Sequence, residues 1–75
     1  MDVRYMLRQA VSSGTIKSVG YSALSGTLEI EFTNGSLYQY SDVPEPVYRE
    51  LMAAPSHGTY FNEHVREWYH FRKIR

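Results

Sequence analysis

Apolar positions in the first stretch of the chain recur with the period of a helix. Val3, Met6, Leu7, Ala10 and Val11 fall at i, i+3, i+4, i+7 and i+8, which is the stripe of an amphipathic helix. Asp2 stands where a cap belongs and Gly14 where a helix stops. Arg4 and Arg8, four apart on the polar side, repel weakly and turn to water or to an anion. From Thr15 the texture changes to three β-rich runs, Thr15 to Ser22, Thr27 to Thr33 and Ser36 to Ser41, which predict a meander of antiparallel strands. Between the second and third runs lies Asn34-Gly35, a dipeptide suited to a two-residue type I′ hairpin turn because both positions there need positive φ.

A two-residue loop dictates a register. Thr33 then faces Ser36, Phe32 faces Leu37, Glu31 faces Tyr38, Ile30 faces Gln39 and Glu29 faces Tyr40, and directly opposed residues share a sheet face. Leu28, Ile30, Phe32 and Leu37 are expected on the core side, with Tyr38 and Tyr40 on the other side beside Glu31 and Glu29. A bulge in the turn would reverse this and send the tyrosines to the core. In the first run Ile16 has the opposite parity to Val19 and Tyr21, so the three share a face only across a bulge, and the register of that strand stays open.

Pro44 to Ala54 reads as a short helix capped by Val43, its prolines tolerated in the first turn where the amide is unpaired. Val47, Leu51 and Ala54 form its buried stripe, flanked by Tyr48 and Met52, and Pro55 ends it. A second helix starts at Ser56, a good N-cap, and places Tyr60, Phe61, His64, Val65 and Trp68 on one aromatic face. Tyr69 to Arg75 is compatible with a strand, a docked tail or disorder. The expected fold is α+β, a three-stranded antiparallel meander with two C-terminal helices and an N-terminal amphipathic helix, in the order α-β-β-β-α-α.

With 75 residues the chain makes one domain, and burial of only about 60% of its unfolded surface leaves no room for a deep enclosed cavity. Hydrophobic residues at 43% and charged residues at 21% place it among globular chains. The absence of cysteine excludes a disulfide framework and thiolate metal sites. The apolar runs are too short for a membrane span, and the first residues lack the apolar core of a signal peptide; a cytoplasmic protein with no membrane partner is expected. The eight basic and eight acidic residues cancel, giving a pI of about 6.8, below the value of about 9 usual for domains that coat nucleic acid by bulk charge.

No catalytic, metal or cofactor constellation emerges. His57, His64 and His70 lack the i, i+4 spacing by which helices chelate zinc. There is no Gly-x-Ser-x-Gly elbow, and the five glycines sit at turns rather than in a phosphate-cradling loop. Glu29 and Glu31, on an exposed sheet face, have nothing to raise their pKa values for acid–base work. The expectation is a non-enzymatic protein. What remains is an aromatic pair with basic residues: Tyr38 and Tyr40 as a stacking platform for single-stranded RNA, with Arg66, Arg72, Lys73 and Arg75 on its phosphates. Against this stand the neighbouring glutamates. The competing reading folds the basic tail back over that face, pairs Arg72 or Lys73 with the glutamates and covers the rings by cation–π contact.

The string IKSVGY, then SGTLEIEFTNGSLYQYSDVP, then VYRELMAAPSHGTYFNEHVREWY resembles the KTSC domain, a short module named for its occurrence at the C-terminus of some lysyl-tRNA synthetases and found also as a stand-alone bacterial protein. The similarity runs from Ser13 to Ile74. It rests on Tyr38-Gln39-Tyr40 followed by Val43-Pro44, and on the later cluster of Gly58, Tyr60, Phe61 and Asn62. It divides the chain into a helix or arm over 1–12 and a KTSC-like domain over 13–75. The family has no established activity, and its synthetase context implies RNA binding, with RNA or tRNA as the partner. A protein partner, met through the N-terminal helix or a sheet edge, is the alternative.

The zero net charge conceals an asymmetry. Residues 1–17 sum to plus two and residues 66–75 to plus three, around a middle of minus five. Either the ends neutralise the middle within the molecule or they reach outward to a polyanion.

Overall fold

The computed structural model describes residues 6–75. Its elements are β1 (Arg8–Ala10), β2 (Ile16–Ser22), β3 (Thr27–Phe32), β4 (Leu37–Tyr40), α1 (Glu45–Ala53), α2 (His57–His64) and β5 (Phe71–Lys73). The strands form one antiparallel sheet in the order β1-β2-β3-β4-β5, so the expected three-stranded sheet is corrected to five. Both helices lie on one side of it: Ile16, Val19, Leu28, Ile30 and Tyr40 from the sheet pack against Leu51, Phe61 and Val65.

The expected N-terminal helix is absent from the described residues. Asp2, Val3 and Arg4 lie outside the described residues, and Met6 to Val11 is not helical, with Arg8 to Ala10 paired as β1 opposite Gly20 to Ser18. Tertiary pairing overrides the helical spacing. A Cβ on Gly20 would sit 2.9 Å from the Leu7 carbonyl oxygen and 3.1 Å from the Arg8 side chain, so the missing side chain is what lets this strand approach. Arg8 is then drawn onto the Glu29 carboxylate.

The parity problem in β2 resolves as a bulge between Ile16 and Ser18, which brings both Ile16 and Val19 into the core. A second irregularity decides more. Gly35 has φ +92 whereas Asn34 does not take positive φ. Phe32 N–H donates to Ser36 O, and Gly35 N–H donates to Phe32 O, both at 2.9 Å. The loop therefore holds three residues, the last in the left-handed region, and not two. Thr33 N–H is occupied by Thr15 O at 2.9 Å, which extends the β2 ladder and draws Thr33 away from Ser36. Every pair slips by one: Glu31 faces Leu37, Ile30 faces Tyr38, Glu29 faces Gln39 and Leu28 faces Tyr40. The tyrosines therefore share the helix side with Leu28 and Ile30, while Leu37 joins Glu29 and Glu31 on the other side.

The helices follow their sequence signals closely. Pro44 rather than Val43 is the N-cap of α1, Leu51 is buried, and Ser56 caps α2 by accepting from Thr59 N–H at 3.2 Å. The His57 Nδ1 lies 2.8 Å from the Leu51 carbonyl oxygen; because a carbonyl only accepts, that nitrogen carries the proton. Tyr21 stacks on Tyr48 at 4.8 Å and donates to Val43 O at 2.5 Å, fastening α1 to β2. Trp68 departs from expectation. The helix ends at His64, and Trp68 lies beyond it, 71% exposed, with its indole N–H donating to Glu63 O at 3.0 Å. No helix of the described residues is long and apolar enough to cross a membrane.

Candidate nucleic-acid interface

The slip in the β3–β4 register assembles a ring cluster at the seam between the sheet and α2. Tyr40 and Phe61 are buried and meet edge to face at 5.4 Å. Phe32 makes similar edge contacts with Phe61 at 5.4 Å and with Tyr38 at 5.6 Å. Phe71, opposite Tyr40 in register, lies 5.6 Å from Tyr38 and 5.7 Å from Tyr40. These distances are those of favourable aromatic pairs. Above the rings opens a groove of about 490 Å³. Its floor is Phe32, Tyr40 and Phe61, its accessible walls are Tyr38 and Phe71, and its polar rim carries Asn34, Asn62, Arg66 and Glu67. Phe71 is 58% exposed.

The groove holds one cation from the expected set. Arg66 follows the last turn of α2, where Val65 N–H and Arg66 N–H both donate to Phe61 O at 3.0 Å, the second a 6→1 bond of the kind that closes a helix C-terminus, and it lines the groove beside the ring cluster. Burial, helped by the neighbouring Tyr38, pushes the Tyr40 hydroxyl up to about 12, with Arg66 pulling the other way, so Tyr40 stays protonated at neutral pH.

The other expected residues separate. Lys73 lies opposite Tyr38, on the groove side of the sheet but outside the groove. Arg72 lies opposite Gln39, on the far side. Arg75 is also there, 3.0 Å from Glu31. On that far side Glu29, 1% exposed, is held by Arg8 and by Gln39 Nε2 at 2.8 Å, and Ser18 Oγ–H donates to Glu31 at 2.8 Å. The tail thus returns onto the molecule as β5, but the residue that pairs with a glutamate is Arg75, on Glu31, and not Arg72 or Lys73 as the competing reading has it. It does so on the side away from the tyrosines, and the residue that packs on the rings is Phe71. The glutamates no longer oppose a phosphate at the tyrosines; within the groove that role passes to Glu67.

Sequence reasoning missed Phe32, Asn34, Asn62 and Phe71 as lining residues. The bulged alternative of the hairpin carried the signal for the first two; Phe71 needed β5 to be known. Among the described residues no group of three or more His, Asp or Glu could hold a metal ion, and every buried side-chain nitrogen and oxygen has a partner.

Residues 12–69 match the family model of the KTSC domain. The chain belongs to the KTSC domain family. A KTSC domain protein from Yersinia pestis, known from its crystal structure, superposes with a TM-score of 0.89 at 40% identity, covering 95% of this chain and 100% of that one. An uncharacterized protein of Stutzerimonas stutzeri is 40% identical, with 84% of this chain and 96% of that protein covered. The similarity to a lysine–tRNA ligase of Nostoc punctiforme is 39% over 79% of this chain but only 10% of the ligase. The strands β1 and β5, and with β5 the groove residue Phe71, lie outside the residues matched by the KTSC model.

Proposed function

We propose that this KTSC domain is a non-catalytic RNA-binding module that takes an unstacked base of single-stranded RNA into the groove beside α2. Tyr38 and Phe71 stack on the base and Arg66 meets the adjoining phosphate. The observation that carries this reading is the union of accessible aromatic walls with a guanidinium in one groove of about 490 Å³, since ring stacking and phosphate pairing are the two contacts by which proteins hold single strands. The similarity of the domain to one tenth of a lysine–tRNA ligase, a protein that by name acts on tRNA, supports it and makes tRNA a natural first ligand. On this reading the protein works in the cytoplasm. Buried Tyr40 supports the floor and takes no base itself. Arg72 and Arg75, on the far side, contribute nothing to the site.

Fluorescence anisotropy with labelled single-stranded RNA, a matched duplex and tRNA tests the reading. Single strands and tRNA are expected to bind and the duplex to bind at least tenfold more weakly. With two cations meeting phosphate, Arg66 in the groove and Lys73 opposite Tyr38, the salt dependence is shallow, with log K against log salt falling at a slope of about −1.4. Arg66→Ala, at an exposed position, weakens binding without unfolding the domain. Binding that is indifferent to Arg66→Ala and equal for duplex and single strand contradicts the reading. A protein partner is the second reading, favoured by β5, which ends the sheet with all three residues exposed and offers an unpaired edge for strand addition.

A further inference from the structure

The groove rim carries two amides, and they differ in one respect that bears on ligand choice. Asn34, in the β3–β4 loop, lines the groove with Tyr38. Its Oδ1 accepts from Ser36 N–H at 2.9 Å and from Ser36 Oγ–H at 2.6 Å. A backbone N–H only donates, so the amide atom facing it must be the oxygen, and the orientation of this side chain is fixed by chemistry. The amino half is left over: Nδ2 makes no hydrogen bond among the described residues. Asn34 is a donor-only group on the groove rim. Asn62, on α2 across the groove, has no such anchor and can turn either half inward, so it imposes no choice.

We propose that Asn34 determines which base the groove prefers, by donating its Nδ2 hydrogens to a keto oxygen on the base stacked at Tyr38. The inference rests on the RNA reading above and names its ligand class: uracil and guanine, whose edges present a keto acceptor, over cytosine and adenine, whose corresponding positions carry an amino donor. A donor facing a donor leaves both without a partner in a partly dehydrated groove. Comparison within each ring size removes stacking strength from the contrast, because uracil and cytosine have similar faces, as do guanine and adenine.

The test uses four short RNA strands, each with one variable base between abasic sugar–phosphates, titrated by anisotropy against the full chain. Uracil is expected to bind about fivefold more tightly than cytosine, and guanine than adenine, the discrimination of one neutral hydrogen bond. Asn34→Asp keeps an oxygen for Ser36 N–H, and with it the loop, but replaces the amino donor by an acceptor. Its added charge lowers all four affinities, so the readout is the ratio, which falls to one or below. Asn62→Ala leaves the ratio unchanged. Four equal affinities in the wild-type chain, or a ratio that survives Asn34→Asp, overturn the inference while the RNA reading stands. Failure of all four strands and of tRNA to bind overturns both.

Discussion

On the helix side of the sheet Leu28, Ile30, Tyr38 and Tyr40 pack with Leu51 and Phe61, whereas the opposite side presents Glu29, Glu31 and Gln39 to Arg8, Ser18 and Arg75. The same strands supply both sides, residue by residue. The helix side is held by dispersion and apolar burial and leaves its rings partly open. The far side is held by paired charges and satisfies itself. The two sides divide the chain's charge: the basic ends neutralise the acidic middle through Arg8 and Arg75, on the side away from the aromatic groove, and among the described basic residues Arg66 lines that groove.

Removing Phe61 disturbs the helix side most. Phe61→Ala is expected to lower stability by about 3–5 kcal/mol, a large part of what so small a domain possesses, and chemical denaturation measures it. A loss below about 1 kcal/mol would show that α2 is not packed on the ring cluster. On the far side Arg8→Met, which leaves the Glu29 carboxylate without its guanidinium, is expected to cost about 1–2 kcal/mol, less than a fully enclosed pair because Arg8 remains partly in contact with water. Its stability should recover when Glu29→Gln is added, and failure of that recovery would break the account of β1 as a strand pinned by charge.

A pH titration separates the two sides by a smaller effect. The Ser18 hydroxyl, and after it the Lys17, Arg8 and Arg75 charges, hold the Glu31 carboxyl below the usual carboxylate range against the opposing influence of burial. A carboxyl with a depressed folded pKa stabilises the fold fully above its unfolded value, and that stability is lost as pH falls through the folded one. The wild type is therefore expected to lose stability below the normal glutamate range more steeply than Glu31→Gln, at low salt. Equal slopes would mean that Glu31 is unpaired in solution.

Much of this architecture is legible in the sequence, and the misses have physical causes. The α2 cap at Ser56, the buried Leu51 and the run of antiparallel strands follow from local chemistry. The N-terminal stripe of Met6, Leu7, Ala10 and Val11 is helical by spacing, yet spacing cannot reveal that Gly20 leaves a bare backbone for β1 to approach. The side on which Tyr38 and Tyr40 stand hangs on whether Asn34 and Gly35 both take positive φ or Gly35 alone does, and a bond from Thr33 to distant Thr15 enters that decision. One residue of loop length then reverses the chemistry of both faces. Of the expected site residues, Tyr38 and Arg66 meet in the groove over a buried Tyr40, whereas Arg72 is carried to the far side by the alternation of β5 and Arg75 reaches Glu31 there because Ile74 N–H and Arg75 N–H both donate to Leu37 O and break that alternation, which nothing local in the sequence announces.

The most direct measurement is a chemical-shift titration of the isotope-labelled chain with a short single-stranded RNA containing uracil. The signals of Tyr38, Asn62, Arg66 and Phe71 are predicted to move together, with those of Glu29, Glu31, Gln39 and Arg72 unchanged. Shifts confined to the second set, or none in the first at low salt, would contradict the assignment of the RNA site to the aromatic groove.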